Sequence, residues 1–105
     1  MGSRPGNDTG EAVKERVKVQ KQDPSLFKVV LLNDDYTTME FVIRVLESVF
    51  QKSPAEAYRV MMHVHVQGRG IAGVYPWEIA ETKADTVAEL ARDAQFPLRA
   101  AVEEA

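Results

Sequence analysis

Hydrophobic and polar positions divide the chain into a polar lead and a patterned body. Residues 1–24 carry charges, Gly and Pro without sustained periodicity, and Val13 and Val17 alone share a helical spacing. Such a stretch cannot bury enough apolar area to offset the entropy of ordering. It is expected to be a flexible N-terminal extension, with one domain over residues 25–105. The run LFKVVLLN, Leu26 to Asn33, is apolar at both parities and predicts a strand covered on more than one side. It stops at Asn33-Asp34-Asp35, residue types that favour turns and caps. Thr37 with Glu40 then reads as a capping box, and Phe41, Val42, Val45, Leu46, Val49 and Phe50 recur at helical spacing.

Ser53-Pro54-Ala55-Glu56 opens a second helix: Ser as N-cap, Pro at the first helical position, Glu closing the box. Its face is Ala57, Val60, Met61 and Val64, running to about Val66, before Gly68. The short gap at Gln51-Lys52 makes the two helices neighbours. Gly68 to Gly73 leads into an extended stretch from about Ile71 to Glu81, where Pro76 points to an edge position or a bulge. Thr82 with Asp85 resembles another cap, followed by Val87, Leu90, Ala91 and Ala94 as the inner stripe of a third helix. Pro97 ends it, and Leu98 to Val102 predicts a last strand. The order β-α-α-β-α-β predicts an α+β sandwich, a small antiparallel three-stranded sheet packed on helices.

Composition narrows the function. A chain of 105 residues has room for one core, and 45% hydrophobic content is that of a globular protein. A formal charge of −3 argues against nucleic-acid binding, which calls for a basic face. No apolar run approaches the ~20 residues of a membrane helix, and the N-terminus lacks the apolar core of a secretory signal. Without cysteine there are no disulfides, thiolate metal sites or thiol nucleophile. A soluble, cytoplasmic protein is expected, with no part for nucleic acid, membrane, metal or cofactor.

Four groups of residues could carry chemistry. Asn33, Asp34 and Asp35 place two carboxylates and a carboxamide directly after a buried strand, where they can accept several hydrogen bonds from a cation; they are also what any turn before a helix carries. His63 and His65 point about 200° apart on a helix, so they cannot ligate one metal together as an i, i+4 pair could. One is expected to be exposed and the other partly buried. Met39, Met61 and Met62 are either core filler or adaptable walls for an aromatic or branched guest. Trp77 to Lys83 mixes charged and apolar side chains, either a protein-docking edge or a solvated face.

Taken together, LNDDYTTMEFV (Leu32 to Val42), MMHVHVQGRG (Met61 to Gly70), GVYPWEIAETK (Gly73 to Lys83) and FPL (Phe96 to Leu98) resemble the ClpS family. The resemblance covers the whole patterned body. It implies a fold similar to the C-terminal domain of the ribosomal stalk protein. It also implies a non-enzymatic, monomeric adaptor that binds N-degrons, substrates beginning with Leu, Phe, Tyr or Trp, and hands them to the ClpA unfoldase of the ClpAP protease. On that resemblance Asn33, Asp35 and His65 contact the substrate's α-amino group, with Asp34 beside them. Met39, Val42, Met61 and Leu98 wall the side-chain pocket, and Thr37 and Thr38 sit at its rim. Glu78 and Lys83 match positions that contact the ClpA N-terminal domain, and the N-terminal arm engages the unfoldase during hand-over. The family often has Pro at the position of Thr38 and Cys at that of Ala72. Two rival readings are an enzyme in which Asp34 or Asp35 orients His65 as a general base, and a stalk-like ribosomal module. The first lacks a nucleophile or metal near the pair, and the second needs no amine site.

Overall fold

The computed structural model describes residues 25–105; the predicted N-terminal extension, with Val13 and Val17, lies outside them. The apolar run after Leu26 forms β1 (Phe27–Leu32), which is the middle strand of a three-stranded sheet. Antiparallel β2 (Arg69–Tyr75) lies on one side and antiparallel β3 (Arg99–Glu104) on the other. Between them run α1 (Met39–Ser48), α2 (Pro54–Gln67) and, after β2, α3 (Trp77–Ala94), so the element order is the one predicted.

The double-parity pattern of β1 has a specific cause. Val29 and Leu31 face the helices and join Val45, Leu46, Ala57, Ala80 and Val87 in the core. Val30 is fully buried too, yet lies outside that core. Strand alternation sends it to the opposite face, together with its cross-strand partners Ile71 and Ala101. Arg69 pairs with Leu32 and Glu103 with Lys28, so the 2.6 Å Arg69–Glu103 bridge runs diagonally across β1 and over Val30. On that outer face a charged pair spans the strand beside the buried Val30.

Three boundaries differ from the sequence expectations. The N-cap of α1 is Thr38, whose Oγ1 accepts the Phe41 N–H at 3.1 Å. The Thr37 hydroxyl instead lies one residue outside the helix start and donates to Asp34. The extended stretch ends at Tyr75, and α3 starts at Trp77, well before Thr82. Pro76 serves as its N-cap residue in an extended conformation, and its carbonyl accepts the Ala80 N–H at 3.0 Å. Thr82 caps nothing; its carbonyl accepts the Thr86 hydroxyl. The inner stripe of α3 is Ala80, Val87 and Ala91, whereas Leu90 and Ala94 are exposed. β3 begins one residue after Leu98, which drops into the core at 4% exposure. The Ser53–Glu56 capping box is present as read, and Gly68 closes α2 in the left-handed region at φ 92°.

Candidate functional site

At the end of β1 the chain turns into the N-terminus of α1, and the last turn of α2 passes beside it. The join is a backbone hydrogen bond, Asn33 N–H to the Gly68 carbonyl at 2.9 Å, continuing the β1–β2 ladder past the Leu32–Arg69 pair. Between these elements lies a cavity of about 220 Å³. The β1–α1 loop contributes Asn33, Asp34, Asp35 and Thr37 to its lining; α1 contributes Met39 and Val42; α2 contributes Met61, Val64 and His65. Helical spacing explains the last two sets, since residues three and four apart share a face. Val42, Met61 and Val64 are buried and form an apolar floor, while Met39, 43% exposed, stands at the mouth. Both histidines are exposed, not one of the two as expected, because neither lies on the stripe of α2 that meets the core.

The cavity has a polar rim and an apolar floor, and its volume suits a single side chain, below the range of about 300–1,000 Å³ of drug-sized sites. Its four polar candidates are not equivalent. Asp34 Oδ1 accepts the Tyr36 N–H at 2.8 Å and the Thr37 N–H at 2.7 Å, and Oδ2 accepts the Thr37 hydroxyl at 2.7 Å. Burial works to raise the Asp34 carboxyl, but these bonds and the nearby Arg99 guanidinium outweigh it and hold the pKa below its ordinary 3.8. Among the described residues no side-chain hydrogen bond engages Asn33, Asp35 or His65. An amide oxygen, a carboxylate and an imidazole therefore stand with acceptor capacity to spare around one cavity mouth.

Of the remaining candidates, Leu98 and Thr38 are outside the lining set: Leu98 is core and Thr38 is the cap of α1. Val64 lines the cavity, although its spacing alone marks it only as core stripe; its i+3 relation to Met61 is the signal that places it there. Glu78 and Lys83 both lie in the first turns of α3. Glu78 is exposed, whereas the Lys83 ammonium turns inward, donating to the Val49 carbonyl at 2.6 Å and the Gln51 side-chain oxygen at 3.3 Å. It also lies 5.3 Å from the Tyr75 ring centre and 5.8 Å from that of Phe50. No group of His, Asp and Glu among the described residues is arranged to hold a metal ion, and none of their helices is long and apolar enough to cross a membrane.

Comparison with known proteins bears on this site. The family model described as ATP-dependent Clp protease adaptor protein ClpS matches residues 22–101. A protein of Caulobacter vibrioides named ATP-dependent Clp protease adapter protein ClpS is 51% identical over 98 residues, covering 93% of this chain and 90% of its own length. Its namesake from Maricaulis maris is 54% identical over 95 residues, covering 90% and 85%. The solved structure of Agrobacterium tumefaciens ClpS2 bound to L-phenylalaninamide superposes with a TM-score of 0.77 at 46% identity, covering 79% of this chain and all of that one.

Proposed function

The chain belongs to the ClpS family of ATP-dependent Clp protease adaptors, and on that premise we propose that it binds the free N-terminus of substrates beginning with Leu, Phe, Tyr or Trp and delivers them to ClpAP through the ClpA N-terminal domain. The observation that carries this reading is one cavity in which three unengaged acceptors border an apolar floor sized for one side chain. An α-ammonium offers three donors and one positive charge. Asn33 Oδ1, the Asp35 carboxylate and a neutral His65 nitrogen each accept one. Bonds to such a charged donor contribute about 1.5–3 kcal/mol each. Burying a Leu or Phe side chain against Met39, Val42, Met61 and Val64 adds roughly 1.5–3 kcal/mol. Micromolar affinity needs about 8 kcal/mol net of the several kcal/mol lost on association, so the two halves are needed together. The phenylalaninamide held by the Agrobacterium relative has both parts, a free amine and an aromatic side chain.

The direct test is fluorescence anisotropy with labelled peptides beginning in Leu, Phe, Tyr or Trp, beside the same peptides N-acetylated and one beginning with Arg. Acetylation removes the charge and two donors, and should abolish binding. Equal binding of acetylated and free peptides sinks the reading. His65 acts here as an acceptor, so His65→Ala should weaken binding about tenfold; unchanged affinity removes His65 from the amine site. Met39 at the mouth excludes β-branched first residues, and Met39→Ala should admit an Ile-initiated peptide. For delivery, the first turns of α3 around Glu78 and Lys83 are the docking surface, and the segment of residues 1–24 engages the unfoldase. Reversing Glu78 to Lys should weaken binding to the ClpA N-terminal domain and leave peptide binding intact.

A further inference from the structure

The β1–α1 loop is anchored at both ends: by the Asn33 N–H on the Gly68 carbonyl and by the Thr38 cap of α1. Between those anchors, the side chain that gathers the chain is Asp34. The N–H groups of Tyr36 and Thr37 converge on its Oδ1, and the Thr37 hydroxyl takes its Oδ2. An ionised carboxylate has about four acceptor positions, so three are committed before any ligand arrives. Residue 35 sits in the arc that these bonds close, between the residue that accepts them and the residues that donate.

The geometry points to Asp34 as a positioning residue: it curls the loop so that Asn33 and Asp35 meet the α-ammonium, and it does not itself bind that group. This inference rests on the N-terminus reading of the cavity. Asparagine at position 34 separates the two roles. Its amide oxygen can still accept both backbone N–H groups, and the Thr37 hydroxyl can rotate to accept from its amide nitrogen, so the loop survives without the charge. Alanine removes charge and clamp together.

The experiment measures anisotropy of a Phe-initiated peptide on wild type, Asp34→Asn, Asp34→Ala and Asp35→Asn, with exchange of the Tyr36 and Thr37 amides followed by NMR. Asp34→Asn should bind within about threefold of wild type, and Asp34→Ala and Asp35→Asn about tenfold or more weaker. The two amides should exchange faster in Asp34→Ala and stay protected in Asp34→Asn. If Asp34→Asn loses as much affinity as Asp35→Asn while its amides remain protected, the charge itself binds the amine and the positioning role is overturned. Wild-type affinity in Asp34→Ala overturns it as well. Failure of wild type to bind any free terminus is a different result, which removes the functional reading and this inference with it.

Discussion

Lys83 offers a quantitative test of how the proposed docking surface is built. Its ammonium meets the Val49 carbonyl, one of the orphan acceptors that end α1, and lies over two aromatic rings. Replacing it with Met keeps the stem and deletes the charge. The lost hydrogen bond to a charged donor is worth about 1.5–3 kcal/mol, the cation at a helix C-terminus about 0.3–1, and the ring contacts about 0.5–1. These overlap, since one ammonium makes them all, and the site is only part-buried, which puts the expected cost at about 1.5–2.5 kcal/mol. For a domain of this size each kcal/mol lowers Tm by about 4–8 °C, so Lys83→Met should melt roughly 6–20 °C below wild type. Circular dichroism melts give the answer, with the same variant then titrated against the ClpA N-terminal domain well below its Tm. An unchanged Tm would refute the argument that the ammonium clasps α1 to α3. A large drop in Tm with normal partner affinity would leave Glu78, and not Lys83, as the docking contact on this helix.

Other expectations follow from the same contacts. Leu98→Ala should cost about 2–4 kcal/mol by urea denaturation while leaving peptide affinity within a few-fold, because Leu98 is core and does not line the cavity. Arg69→Ala should destabilise by about 1 kcal/mol more than Arg69→Met, since the Met stem still covers Val30 whereas the ion pair itself, on the surface, is worth little. Gly70→Ala should weaken peptide binding, because an added Cβ would come 2.8 Å from Val64 Cγ2 and push on a cavity wall. The Asp34 carboxyl is depressed in the folded state, so its stabilisation is present above its ordinary pKa of 3.8 and is lost as pH falls through the lower folded value. Urea titrations from about pH 6 to 2.5 should show a fall in wild-type stability below about pH 4 that is smaller in Asp34→Asn.

The parts of this molecule legible in its sequence are those where periodicity and caps agree. Ser53-Pro54-Ala55-Glu56 announced α2 to the residue, because the box and the proline both demand a helix start. The first turns of α3 carry a strand-like pattern for a physical reason: its large apolar residues, Trp77 and Ile79, alternate and are half-exposed, while the buried stripe begins with the small Ala80. The α1 cap lies one residue from its expected place because Thr37 and Thr38 are chemically alike, and only the fold shows which hydroxyl meets the Phe41 N–H and which meets Asp34. The last strand runs two residues past the predicted Val102 end, because the charged Glu103 is used across the sheet by Arg69 and Lys28. At the site, spacing already put Met61 and His65 on one face, and Asn33 to Asp35 at a strand end. That the two regions adjoin is a tertiary fact, carried by the Asn33–Gly68 bond.

That bond also has a mechanical side. β1 is laced to a neighbour on each edge from Phe27 to Leu32, and the cavity lies past the Leu32 end. A pull on the chain ahead of Phe27 loads the rungs at the opposite end first, beginning with the Phe27–Tyr75 and Phe27–Glu104 pairs. Pulled away from the sheet, the strand would peel rung by rung, and Asn33 lies past the last of them. Cargo held there would stay gripped through the early part of such a pull and be let go only when the last rung parts.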